Sequence, residues 1–132
     1  MDIEGIKEEL DRLYSIVLEI KNRLESGRYT QQMIIADINA INTLSEALSS
    51  ALNSIYRTIL HRGPTNNVEL DRIRIILQAV AATNTNFKEE LKNGLEYPEY
   101  FASQIYGAVT ESLPLLERAR RELDMLIREE RI

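Results

Sequence analysis

With 132 residues, 44% of them hydrophobic and 28% charged, the chain is long enough for one substantial core and too short for two. Its net charge of −5 excludes a uniformly basic nucleic-acid binder, though not a local basic patch. The absence of cysteine excludes a disulfide framework and a thiolate metal site.

A first helix is expected over about residues 3–26. Ile3, Ile6, Leu10, Leu13, Val17, Ile20 and Leu24 alternate spacings of three and four, the seam of a heptad pattern. Asp2 is placed to cap its start and Gly27 to end it in a left-handed conformation.

A second helix, over about 31–62, starts after Thr30 as N-cap and stops at Gly63-Pro64. Ile34, Ile38, Ile41, Leu48, Leu52, Ile55 and Ile59 form its apolar stripe, with Ser45 on the same seam. Opposite that stripe runs a line of small residues, Ala36, Ala40, Thr43, Ala47, Ser50 and Ser54. Across 38–56 the one charge is Glu46.

After a short polar loop at 65–67, Asn66 and Glu69 resemble a capping box for a third helix, over about 67–93. Leu70, Ile73, Leu77, Val80, Phe87 and Leu91 make its seam, Asn84 stands where an apolar residue belongs, and Gly94 is expected to end it. Ile75, Ala79 and Ala82 point off that seam.

The fourth helix, over about 99–130, takes Pro98 in its first turn, where the missing N–H costs nothing. Its seam is Ala102, Ile105, Val109, Ser112, Leu116, Ala119, Leu123 and Leu126; Pro114 is expected to kink the helix or split it.

No period-two run competes with these helices. The expected fold is therefore all-α: a single domain, 1–132, forming an elongated up-down-up-down four-helix bundle with helix 4 kinked at Pro114. No run reaches the roughly 18 apolar residues of a membrane span. The start, Met1-Asp2-Ile3-Glu4, lacks the basic-then-apolar pattern of a signal peptide, so a chain without transmembrane segment, made in the cytoplasm, is expected.

In such a rod one end collects residues 1–12, 52–76 and 117–132, with ten of the twelve arginines and twelve acids. Arg118, Arg120, Arg121 and Arg128 are the candidates there for phosphate or nucleic-acid contact. The competing expectation pairs them along the helix, as Glu117–Arg121, Arg118–Glu122 and Asp124–Arg128. Elsewhere three belts, 38–56, 75–87 and 100–110, hold only that one glutamate.

Catalytic chemistry finds little footing. A di-iron bundle needs two Glu-x-x-His motifs, and the chain has a single histidine, His61, at a helix end where it complements the dipole. The adjacent carboxylates Glu8-Glu9, Glu89-Glu90 and Glu129-Glu130 diverge around their helices rather than converge on a metal. There is no glycine-rich phosphate loop. The tyrosines are too scattered for a base-stacking platform. Core-facing Asn84, Ser45 and Ser112 suit a role in fixing register. The reading is of a non-enzyme without cofactor or metal.

The small-residue line is what a solvated helix should not carry. Thr and Ser are mediocre helix formers, and an exposed face ordinarily takes Glu and Lys. Small residues at three/four spacing allow close approach of another helix, and depletion of charge marks the core of an interface. Ala36, Ala40, Thr43, Ala47, Ser50, Ser54, Ile75, Ala79 and Ala82 are therefore the expected subunit contacts, in a homo-oligomer or filament.

An all-helical chain of this size, cysteine-free, rich in Ile and Arg, with uncharged lateral belts, resembles the helical-bundle major coat proteins of large spindle-shaped archaeal viruses. It is also similar in outline to the four-helix coat subunits of rod-shaped viruses. The resemblance implies a self-assembling capsid protein, a helical or tubular shell, location in the virion and genome nearby. The scarcity of lysine beside arginine and the lack of Cys and Trp suit a thermophile. The acidic net charge departs from a coat that grips nucleic acid tightly. The alternative is a small cytoplasmic helical-bundle protein-binding module acting as a dimer.

Overall fold

The computed structural model describes residues 1–63 and 67–129. They form four α-helices, α1 (Ile3–Ser26), α2 (Gln31–Leu60), α3 (Asn67–Glu96) and α4 (Phe101–Arg128), with a 3-10 turn at Pro98–Tyr100 ahead of α4. The expected Pro64 stop, the start of the polar loop and the Asn66 cap fall at 64–66, outside the described residues, as do Glu130 and Arg131.

Local signals in α1 and α2 act as their chemistry predicts. The Asp2 carboxylate accepts the Gly5 N–H at 2.8 Å and the Thr30 hydroxyl accepts the Met33 N–H at 3.2 Å, each satisfying an otherwise orphaned donor. Gly27 takes φ 70° and Gly63 φ 114°, conformations that exclude a side chain at little cost only for glycine. Ile6, Leu10, Leu13, Val17 and Ile20 of α1 are buried, with Ile3 and Leu24 packed at the margins. In α2 the buried set is Ile34, Ile38, Ile41, Ser45, Leu48, Leu52 and Ile59, with Ile55 half-buried. Burying such an aliphatic side chain is worth about 1.5–3 kcal/mol, so the two seams alone drive collapse.

α3 departs from its sequence reading. Ile76, Ala79, Thr83 and Gly94 are buried, whereas Leu77, Asn84 and Leu91 are only half-buried. The helix packs on both α2 and α4, and its contact with α4 is the most extensive in the molecule. Its buried face is accordingly turned toward α4. The Thr83 hydroxyl, fully buried, donates to the Ala79 carbonyl at 2.8 Å and so costs the core little.

Gly94 does not end α3, which runs on to Glu96. A Cβ at Gly94 would lie 2.9 Å from the Phe101 ring and 3.3 Å from its Cα. Glycine is there to let the start of α4 cross against the end of α3. Pro98 opens the 3-10 turn rather than α4 itself. Pro114 lies inside an unbroken α4, so the helix is not split, and every seam residue from Ile105 to Leu126 is buried.

Each helix touches two neighbours, α1–α2, α2–α3, α3–α4 and α4–α1, with no diagonal pair among the described residues. The α1/α2 side of this four-cornered bundle therefore faces away from the α3/α4 side. Polar contacts tie neighbours at matched heights. Lys7 meets Asp124 at 3.1 Å, Arg120 meets Asp11 at 2.9 Å and Tyr106 meets Glu25 at 2.8 Å between α1 and α4. Arg23 pairs with Asp37 between α1 and α2. Arg72 reaches both Glu122 and Glu129, at 2.9 Å each, between α3 and α4.

Candidate subunit interface and arginine face

The small-residue line of α2 lies opposite its buried stripe. Ala36, Thr43, Ala47, Ser50 and Ser54 are exposed and Ala40 is half-buried. The Thr43 hydroxyl donates to the Asn39 carbonyl at 3.1 Å, so this threonine presents no unmet donor. Beside the line, Arg12, Asn39, Ala40, Thr43 and Leu44 bound a shallow groove of about 330 Å³ between α1 and α2. The line itself carries no charge, with exposed Glu46 at its edge, and its residues other than Ala40 are left exposed by the chain's own fold.

The corresponding line on α3 is different. Ile75 and Ala82 are half-buried, and Ala79, at 4% exposure, belongs to the core. The expectation that Ala79 is a subunit contact is thus corrected: turning α3 toward α4 brings its methyl into the intramolecular contact. Together with Gln78, Leu115 and Arg118, these residues line a groove of about 190 Å³ between α3 and α4. Leu115, an exposed leucine at its edge, was not singled out by periodicity because it lies just off the α4 seam.

At the arginine-rich end none of the expected pairs along α4 forms. Asp124 bonds Lys7, Glu117 accepts from the Tyr14 hydroxyl at 3.1 Å, and Glu122 is taken by Arg72. Arg120 is drawn inward, its Nε on Asp11 and its guanidinium 4.3 Å from the centre of the Tyr14 ring. That removes Arg120 from the set available to an external phosphate. Arg118, Arg121 and Arg128 are exposed and make no ion pair among the described residues.

The core-facing polar residues divide. Ser112 accepts from the Asn86 amide at 3.2 Å, a contact between α3 and α4, whereas the Ser45 hydroxyl and the Asn84 carbonyl oxygen are buried without a partner. Such groups cost stability wherever they are sequestered, in keeping with a role in register rather than in strength. His61 is exposed at the C-cap of α2. Among the described residues no group of three or more His, Cys, Asp or Glu side chains is placed to hold a metal ion.

The α1–α4 side holds most of the perturbed titrations. The hydrogen bond to Asp124 is the largest cause raising the Lys7 ammonium above its ordinary 10.5. Burial, then the bond to Glu117, raises the Tyr14 phenol above 10.0. The bond to Glu25 raises Tyr106. In each case the folded value lies above the unfolded one, so the stability these groups add is fully present below pH 10.0 and lost as pH rises through the folded values. The melting temperature is expected to hold level from neutrality to near pH 10.0 and then fall. The combined Tyr14→Phe and Tyr106→Phe variant should fall less, and thermal melts through the tyrosine and lysine range check this.

Asp37 behaves otherwise. Burial, its largest influence, raises its carboxyl despite the adjacent Arg23. Desolvation outweighs the ion pair, so this contact fixes where α1 meets α2 more than it strengthens the fold.

No helix among the described residues is long and apolar enough to cross a membrane. Comparison with protein-family models, curated proteins and solved structures finds no match.

Proposed function

We propose that this chain is a structural subunit that assembles with copies of itself into a helical or tubular array, and that the array is a virion shell of the kind formed by the coat proteins it resembles. The observation that carries the reading is the α2 face at Ala36, Thr43, Ala47, Ser50 and Ser54: exposed, small and uncharged over five helical turns. A chain with 28% charged residues that leaves such a face bare is best understood as covering it with protein.

The helices are read as alternating up and down. Lys7 with Asp124 and Glu25 with Tyr106 support opposed directions for α1 and α4, and Arg72 with Glu122 and Gly94 with Phe101 do the same for α3 and α4. At about 1.5 Å per residue the two longest helices would reach roughly 45 Å, giving an elongated subunit. We read α4 as bent at Pro114, whose ring removes the bond to the carbonyl four residues earlier.

The α2 line and the groove at Ile75, Ala82 and Leu115 occupy different sides of the bundle. Seating one copy's α2 line on the next copy's α3/α4 groove is a heterologous contact, which propagates into an open array unless the rotation closes a ring. Sedimentation of the purified chain over a range of concentrations tests the proposal. Growth of large polymers supports it, and a concentration-independent dimer would instead assign the chain to binding modules.

A further inference from the structure

We infer that the bundle carries a second, axial contact surface: the α3–α4 turn of one copy, through Leu95, Tyr97 and Tyr100, seats on the opposite end of the next copy, at Leu60 and Val68. The inference deepens the assembly reading and rests on it for the identity of the partner, a second copy of this chain. Ten large hydrophobic side chains are exposed among the described residues. Nine stand near a helix end, and Leu115 on the flank is the exception. Exposed apolar residues scattered singly are ordinary, whereas residues gathered in this way mark an interaction site.

Tyr97 is 53% and Tyr100 56% exposed, and every residue from Leu95 to Tyr100 faces solvent. The turn does not need their rings. Its backbone closes with the Tyr100 N–H on the Tyr97 carbonyl at 2.9 Å, and Phe101 fills the space at Gly94. Tyrosine offers a large, rigid contact area for the loss of two torsions, which suits it to an interface.

The two patches lie at opposite ends of one helix. Val68 stands in the first turn of α3 and Leu95 in its last, about 40 Å apart at 1.5 Å per residue. Leu60 closes α2, and Arg74 ties the two helices at that end by donating to the Tyr56 hydroxyl at 2.6 Å. A copy displaced along the α3 axis by one subunit length therefore brings Tyr97 and Tyr100 to Leu60 and Val68 without a rotation.

Charge selects this head-to-tail arrangement. Glu96 and Glu99 flank Tyr97 and are exposed without an ion pair among the described residues. Around Leu60 stand Arg57, His61 and Arg62, all exposed. The acids of that corner are withdrawn, Glu69 by burial and Asp71 by Arg74 at 3.0 Å. Of the other charges at the two ends, Lys92 lies one turn behind Glu96, while Glu4 and Arg28 belong to the α1 side, which makes no contact with α3. A head-to-head contact would instead set Glu96 and Glu99 against their own counterparts. The end of a four-helix bundle is a small surface, so the contact is weak alone and gains strength by repetition along a laterally joined row.

Because the chain contains no cysteine, single cysteines report the contact directly. Asn93→Cys marks the tyrosine end and Asn67→Cys the opposite one, each exposed and beside its patch. The two variants are mixed, linked with a short bismaleimide and resolved by mass. The mixed product is expected to exceed the random proportion, in which it equals the two self-linked products combined. Glu96→Lys with Glu99→Lys, added to the Asn93→Cys chain, should abolish that excess, and Arg57→Glu with His61→Glu in the Asn67→Cys chain should restore it. All four positions are exposed, so the fold is expected to survive, which circular dichroism verifies. The same excess is expected with Ala47→Glu and Ser50→Lys present, where lateral assembly is lost. A random proportion in the parent, an excess of self-linked Asn93→Cys chains, or an excess indifferent to charge reversal would overturn the axial contact even where polymers form. An excess of mixed product from a parent that forms no polymers would leave the axial contact standing and remove the lateral reading instead.

Discussion

Ala47→Glu combined with Ser50→Lys is expected to leave the helical signal intact and to abolish assembly. Both positions are exposed on α2, so the isolated subunit accommodates the longer side chains without repacking. The new Glu and Lys are three residues apart on one helix face, a spacing worth about 0.2–0.5 kcal/mol when the charges are opposite. The cost appears on contact. Two charged groups placed in the middle of a small-residue interface must be desolvated, at several kcal/mol each unless partners are supplied, and their length keeps the backbones apart. Far-UV circular dichroism with light scattering separates the two effects. Polymers that persist in the double variant would reduce the α2 face to an ordinary solvated surface.

The second large effect comes from one substitution class with opposite signs at two glycines of the same bundle. Gly94→Val is expected to destabilise by about 2–3 kcal/mol, the range for overpacking a fitted core. Even the first carbon would sit 2.9 Å from the Phe101 ring and 3.3 Å from its Cα, and Phe101 is 3% exposed. Gly107→Ala should instead stabilise by about 0.5–1 kcal/mol, since an added Cβ there meets nothing within 4 Å and the helix gains propensity. Urea unfolding measures both. Equal and small effects would mean that α3 and α4 do not cross as closely as described.

The seams of α1 and α2, the Asp2 and Thr30 caps and the left-handed Gly27 were all legible, because each depends on spacing or on a residue within one turn. The exposed line of α2 was legible for the same reason: burying Ile34, Ile38 and Ile41 fixes what faces away.

Which neighbour a helix leans on is not encoded in its own period. α3 offers apolar residues around more than half its circumference, so Leu77 and Leu91 compete with Ile76 and Ala79 for the core. Close approach to α4, permitted by Gly94 and Ala79, decided it. A glycine needed for contact and one needed for a turn look alike in sequence, and Gly94 is of the first kind.

The charges on α4 follow the same logic: the carboxylates that i,i+4 spacing offers to its arginines are taken by residues of other helices, which the period of α4 does not show. Arg72, with its side chain 15% exposed, holds Glu122 at 18%, and shielding from water strengthens that pair over an exposed one on the helix surface. Arg118, Arg121 and Arg128 are left facing outward as a result.

Assembly of the bundle into a repeated array, as proposed, is decided by sedimentation velocity of the unmodified chain at rising concentration, with negative-stain microscopy of the heaviest fraction. Large polymers, seen as filaments or tubes of uniform width, are the predicted result. A single species at the mass of one or two chains, unchanged across concentration and salt, would contradict it.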